Sequence, residues 1–302
     1  MADLATARTR VDMVPEHRRP EGIGRMYLDH FGLRDRPFSL LPDPDYLYWS
    51  EPHAKTYAML EYGLATFAPI IVITGEIGAG KTTLVRHLLR SDARNIRIGS
   101  LSSARSGGSQ LLYSVLSSLG ETPKRPMSYV QMFAVFEASL RRVAEAGYTT
   151  LLVFDEAQGL SESRLEEIRC LSNINCGNEE LLQLLLVGQP ELNTTLRKPK
   201  MLQFAQRVAA RHHLSGMPPE AVGQYIDHRL ATAGASRSIF APEACALVSD
   251  ASGGLPRVIN QICDYSLVYA FAEGRLSVEA DIVRLVIAER DLEALVPRKA
   301  RP

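Results

Sequence analysis

Apolar positions are sparse through the first 25 residues, which are rich in Ala, Arg, Pro and charge and show no sustained period. Such a stretch cannot bury enough apolar surface to offset its ordering entropy, and a mobile tail is expected there. Aromatic and aliphatic residues become dense from Met26 onward. Between residues 36 and 49, Pro37, Pro42 and Pro44 forbid a continuous helix, so an extended, aromatic-rich segment that lies on another surface is expected. Residues 53–64 then carry helical spacing. Short apolar runs follow at residues 70–74, 151–154 and 181–187, each bounded by polar or turn residues, and residues 95–99 make a weaker one. Runs of this kind predict strands of a parallel sheet, the longer ones buried on both faces. Helical spacing separates them at residues 83–90, 110–119, 128–144 and 160–171. In 128–144 the expected buried stripe is Val130, Phe133, Ala134, Phe136 and Leu140. Residues 102–109, with Gly107 and Gly108, read as a flexible loop.

The pattern changes at Met217-Pro218-Pro219. Beyond it, residues 220–233, 242–252, 256–273 and 278–289 all carry helical spacing, with Pro242 and Pro256 at first-turn positions and no strand among them. The expected organisation is a tail over 1–25, an α/β nucleotide-binding domain over 26–216, a small all-helical lid over 217–290 and a short tail over 291–302.

Chemistry concentrates where strands end. The run at 70–74 leads into Gly75-Glu76-Ile77-Gly78-Ala79-Gly80-Lys81-Thr82, followed by Thr83 and an amphipathic segment. This strand, glycine loop and helix fit the phosphate-binding pattern G-x-x-x-x-G-K-[ST]. Glycines let backbone N–H groups curl around a polyphosphate, and the helix N-terminus adds unpaired donors. Lys81 is expected to reach the β- and γ-phosphates of ATP and Thr82 to offer its hydroxyl to Mg²⁺. The run at 151–154 ends in Asp155-Glu156. A buried parallel strand delivers carboxylates at its C-terminal end, so Asp155 is expected in the Mg²⁺ shell and Glu156 as the base that orients and deprotonates water. The strand at 181–187 ends at Gly188-Gln189-Pro190, which makes Gln189 a candidate γ-phosphate or water sensor. Residues 204–214 read as a helix end before a short fifth strand. Arg207, then Arg211, are candidates for a finger presented to a neighbouring subunit, and Arg257, at the start of a helix, is a candidate to meet the phosphates when the lid closes.

Composition narrows the class without redirecting it. The 302 residues are 46% hydrophobic and 23% charged, with 34 basic and 34 acidic side chains, so no global field recruits nucleic acid or anionic lipid. Cys170, Cys176, Cys245 and Cys263 lack C-x-x-C spacing and read as reduced packing residues. No apolar run approaches the ~18 residues that span a bilayer, and a signal-peptide core is missing, so a cytoplasmic location is expected.

The order of these parts resembles that of AAA+ ATPases. Residues 26–33, Pro37-Phe38, Pro42-Asp43-Pro44, 75–83, Asp155-Glu156-Ala157-Gln158, Gly188 to Leu192 and 253–257 resemble, more narrowly, the ATPase domain of the general secretion pathway protein A family of ExeA type. The resemblance implies a P-loop α/β fold with a parallel five-stranded sheet and a helical lid, hydrolysis of MgATP by a homo-oligomer, and service to secretion or envelope polysaccharide export, peripheral to the inner membrane. Longer members of that family continue into a transmembrane helix and a peptidoglycan-binding domain, and neither is expected within these 302 residues. Related ATPases regulate transposition on DNA, and Arg197, Lys198, Lys200, Arg207 and Arg211 are the residues that would line a nucleic-acid surface in that alternative.

Overall fold

The structure, a computed structural model, describes residues 23–90, 95–102, 111–121, 127–175 and 180–290. The expected N-terminal tail up to residue 22, the loop at 103–110, Cys176 and the C-terminal tail lie outside the described residues. Five strands, β1 (Ile70–Gly75), β2 (Ile96–Ser102), β3 (Thr149–Asp155), β4 (Leu182–Gly188) and β5 (Val208–Leu214), form one parallel sheet in the order β2-β3-β4-β1-β5. β1 and β4 sit inside the sheet and are buried along their whole length, which is why they read as unbroken apolar runs. The edge strands β2 and β5 are only partly buried. In β5, Ala210 and Leu214 face the interior while Arg211 and His213 are exposed.

Twelve helices surround this sheet and continue past it: α1 (Ile23–Phe31), α2 (Glu51–Ala65), α3 (Lys81–Arg90), α4 (Leu111–Ser118), α5 (Tyr129–Glu145), α6 (Glu162–Leu171), α7 (Pro190–Leu196), α8 (Leu202–Arg207), α9 (Pro219–Thr232), α10 (Pro242–Ser252), α11 (Pro256–Ala272) and α12 (Ala280–Arg290), all among the described residues. The sheet has one core on each face. Ile71, Ile73, Val153 and Leu185 point toward Leu60 of α2 and Leu84 of α3, whereas Val72, Leu152, Phe154 and Leu184 point toward Leu112, Phe136, Leu165 and Phe204. The two-residue alternation of side chains across a pleated strand makes this division. Burying each such side chain stabilises the fold by roughly 1.5–3 kcal/mol.

The third core belongs to α9–α12, and it draws in the N-terminal segment. Tyr27, Leu28, Phe31, Leu33 and Phe38 pack with Val222, Ile226, Ile259, Ile262 and Val283. Phe38 meets Phe240 edge-on at 5.9 Å. The segment nearest in sequence to the α/β part therefore shares its core with the helical part. The extended stretch on either side of Phe38 lies across both: Arg36 pairs with Asp264 of α11 at 2.6 Å, while Arg90 of α3 pairs with Asp45 at 2.9 Å.

Three expectations need correction. Helix α1 starts at Ile23, ahead of the boundary placed at 26. In α5 the buried stripe is Met132, Phe136, Ser139, Leu140 and Val143, while Val130 is 76% exposed, Ala134 is exposed and Phe133 half-buried. The 3.6-residue period centred on Phe136 and Leu140 passes through Ser139, whose hydroxyl bonds to Glu121 at 3.0 Å, so a polar residue occupies a core position that apolar counting passes over. Finally, Arg207 ends α8, but Arg211 lies within β5 and so projects from a sheet edge, not from a helix end.

Candidate functional site

A cleft opens where the C-terminal ends of β1, β3 and β4 face α11 and the 39–48 segment. Ligands of open α/β sheets bind at this end because the loops there are free to carry chemistry while the strands hold them still. One wall is the loop from Gly75 to Lys81. Gly78 and Gly80 have φ of +79° and +98°, a region closed to most side chains, and a Cβ on Gly78 would overlap Cβ of Arg257. The N–H of Arg257 donates to the Gly78 carbonyl at 3.2 Å, so the first turn of α11 is docked on the loop through main chain. The side chain of Arg257 is exposed and lines the cleft, as do Ile77, Thr82 and Thr83.

Lys81 is 9% exposed, and its Nζ donates to the carbonyls of Gly75 at 2.7 Å and Glu76 at 2.9 Å. Burial lowers its pKa from the ordinary lysine value, while the carboxylates of Glu156 and Asp155 oppose that shift. Thr82 Oγ1 donates to Asp155 Oδ2 at 3.0 Å, and Asp155 Oδ1 accepts from the Glu156 N–H at 2.9 Å. A threonine hydroxyl beside a carboxylate at the head of a helix is a hard-oxygen pair suited to Mg²⁺, which keeps several waters and takes few protein ligands.

Glu156 adopts φ +56°, a conformation costing about 1–3 kcal/mol for a non-glycine residue. Its Oε2 accepts from Gln158 Nε2 at 2.6 Å and from Gln189 Nε2 at 3.3 Å. Gln158 Oε1 accepts the backbone N–H of Gln189 at 3.0 Å. A backbone N–H can only donate, so this bond sets the Gln158 amide with its nitrogen toward the carboxylate. One glutamine thus ties the β3 tip to the β4 tip.

The far end of the cleft is made of side chains from distant parts of the sequence. Arg229 of α9 is buried; its guanidinium donates to the Pro37 carbonyl, to Ser39 O at 3.5 Å and to Tyr225 Oη at 3.0 Å. It lies 4.8 Å from the Tyr46 ring centroid and 5.7 Å from that of Tyr225, within cation–π range. The Asn260 amide meets the Tyr225 hydroxyl at 2.8 Å. The proline-rich segment, expected to lie on another surface, lines the cleft through Ser39 to Asp43 and Tyr46 to Tyr48.

Lys81, Thr82, Asp155, Glu156, Gln189 and Arg257 are therefore brought together. Arg207 and Arg211 are not among the residues lining the cleft. Arg207 Nη1 donates to Ser172 Oγ at 3.1 Å within its own chain, and burial together with the nearby Arg197 charge lowers the pKa of Arg211 from the ordinary arginine value. Three participants are given no role from the sequence: Arg229 reads as a helix-surface cation, His53 as a helix residue, and Gln158 only as part of the run that follows Asp155-Glu156. Only the two-residue offset of Gln158 from Glu156 could have pointed to it.

Residues 66–196 match the model of the AAA domain family. General secretion pathway protein A of Aeromonas hydrophila is 38% identical over 249 residues, covering 82% of this chain and 46% of that protein, so the chain spans about half the length of this relative. Among solved structures, Cdc6p from Pyrobaculum aerophilum superposes with a TM-score of 0.66 at 18% identity, over 84% of this chain and 70% of its own. Drosophila ORC bound to DNA superposes with a TM-score of 0.66 at 16% identity, over 92% and 70%. At those identities the likeness shows the fold alone. Among the described residues no helix is long and apolar enough to cross a membrane. The matched AAA domain and the parallel five-stranded sheet with its glycine loop give this chain a P-loop fold of AAA type, and over four-fifths of its length its sequence is similar to part of general secretion pathway protein A.

Proposed function

We propose that the protein binds and hydrolyses MgATP as an oligomer and uses the cycle to drive or switch assembly of a secretion or envelope polysaccharide export system, on the cytoplasmic side and peripheral to the inner membrane. The observation that carries the hydrolytic part is the carboxylate of Glu156, held by Gln158 and Gln189 in the same cleft as Lys81 and the Thr82–Asp155 pair. In this reading Lys81 leaves the loop carbonyls to meet the phosphates, and main-chain N–H groups of residues 78–82 bind them. Thr82 and Asp155 would hold Mg²⁺, which would supply neutralisation of phosphate charge. Glu156 takes a proton from the attacking water, and Gln189, already on that carboxylate, registers its position. Arg207 reaches the γ-phosphate of a neighbouring copy, for which it exchanges its bond to Ser172.

The biological setting rests on the similarity to general secretion pathway protein A. The transposition-type alternative, an ATP-gated DNA regulator, has less support: Lys198 is paired with Glu162 at 2.7 Å and Arg207 is engaged by Ser172, which shrinks the proposed basic surface. The test is a rate measurement on three proteins. Wild type is expected to hydrolyse ATP with Mg²⁺ at a rate per subunit that rises with protein concentration. Glu156→Gln is expected to bind a fluorescent ATP analogue with unchanged affinity yet lose hydrolysis by at least ~10²-fold. Arg207→Ala should also bind, with its rate down by about 10³ or more. A wild-type rate from Arg207→Ala removes the finger, and failure of wild type to bind ATP removes the whole reading.

A further inference from the structure

Beneath the glycine loop lies a buried histidine with both ring nitrogens engaged. His53, in the first turn of α2, is 3% exposed. Its Nε2 stands 3.0 Å from the Ala79 carbonyl oxygen, and its Nδ1 stands 2.7 Å from Ser50 Oγ. A carbonyl only accepts, so Nε2 carries the proton. Burial lowers the pKa of the ring from the ordinary histidine value and favours its neutral form, so Nδ1 accepts from the Ser50 hydroxyl. Ser50 is the N-cap residue of α2, a position where serine usually accepts from the helix backbone; here it makes no such cap bond, and its hydroxyl goes to the imidazole. An ordinary buried histidine would be satisfied by any two partners. This one spends a helix cap to fix its tautomer and aims the resulting N–H at one peptide of the loop.

That peptide is the one that matters for anion binding. Every peptide bond of the described chain is trans, and in a planar trans peptide the carbonyl and the following N–H point in opposite directions. Holding the Ala79 carbonyl on His53 therefore turns the Gly80 N–H away from α2. Gly80 has φ +98°, and a Cβ added to it would stand 2.9 Å from His53 Nε2. A peptide between alanine and a glycine free at positive φ is one that rotates easily, because glycine resists few conformations. His53 is the brace against that rotation.

We propose that His53 is a positioning residue for phosphate binding: it locks the Ala79–Gly80 peptide so that the Gly80 N–H is presented to a bound phosphate, with Ser50 fixing the ring that does so. The inference rests on the nucleotide-binding reading above and adds to it a residue outside the loop motif. It acts through the loop and touches no reacting atom.

The test uses the full chain with His53→Gln, His53→Asn, His53→Leu and Ser50→Ala, reading affinity for a fluorescent ATP analogue and, separately, the thermal midpoint without nucleotide. In glutamine the amide nitrogen sits as far along the side chain as Nε2; in asparagine it sits where Nδ1 does. His53→Gln is expected to keep affinity within about threefold of wild type. His53→Asn and His53→Leu, which leave the carbonyl unheld, are expected to weaken it by about tenfold, the scale of one lost buried hydrogen bond. Ser50→Ala should fall between. If His53→Leu does not fold, the glutamine and asparagine variants decide alone. Equal affinities for these two, at matched thermal midpoints, overturn the proposal, as does wild-type affinity in His53→Leu. Loss of binding by wild type itself would instead sink the nucleotide reading.

Discussion

The two ends of the cleft are built in different ways. The loop end is made of consecutive residues, and most of its contacts are main chain: Arg257 N–H to Gly78, and Lys81 to the carbonyls of Gly75 and Glu76. The opposite end is made of side chains from three separated stretches, with Arg229 gripping the carbonyls of Pro37 and Ser39 between the rings of Tyr46 and Tyr225. Main-chain sites depend on backbone conformation, so they constrain a few glycines tightly and tolerate change elsewhere. Side-chain sites depend on the packing that brings distant residues together, so they are lost when either partner surface moves. The helical part is held at both ends, by Arg257 on the loop and by the N-terminal segment that shares its core.

Substitutions can separate the two ends. The largest effect is expected at Gly78. Gly78→Ala places a side chain at φ +79° and into Cβ of Arg257, so it strains the loop and pushes α11 away together. A stability loss of at least ~2 kcal/mol in denaturant titration and loss of binding to an ATP analogue are expected. Wild-type binding by this variant would mean that the main-chain contact between loop and α11 is dispensable. The next effect is expected at Arg229. Arg229→Leu leaves the Pro37 and Ser39 carbonyls without their donor, at about 1–3 kcal/mol of stability. Arg229→Lys should recover little, since an ammonium lacks the planar fork that serves several acceptors at once. If the division of labour holds, Arg229→Leu weakens ATP binding by about tenfold while leaving inorganic tripolyphosphate binding near wild type; equal losses for both would merge the two ends into one site. The smallest effect is expected at Arg90, whose pair with Asp45 is largely exposed. Arg90→Ala should shift the thermal midpoint by no more than about 0.5 kcal/mol would. A larger shift would show that the link from the 39–48 segment to α3 matters more than a surface pair can.

Legibility follows the same division. The strand, glycine loop and helix over 70–90 are local, and each part has a short-range cause: an apolar run, glycines at positive φ, an amphipathic period. The carboxylates at 155 and 156 and the glutamine at 189 could be placed because a parallel sheet puts all its C-terminal strand ends on one side. The misreadings were at edges and mixed surfaces. Ser139 takes a core position because Glu121 satisfies its hydroxyl, and Arg211 belongs to an edge strand whose outer residues need not be apolar. The hydrophobic count along α5 had no means of seeing the first, nor the residue pattern near Arg207 the second.

By itself the sequence determined the class of fold, the glycine loop between strand and helix and the residues at the strand tips, because backbone conformation and side-chain period are set within a few residues. Tertiary structure alone decided that residues 27–38 belong to the core of the helical part, that Arg229 closes the far end of the cleft, that Gln158 joins Glu156 to the neighbouring strand tip, and that His53 sits under the loop. Each of these pairs residues with no local rule to connect them, and the pairing exists only once the sheet and the helical part have packed.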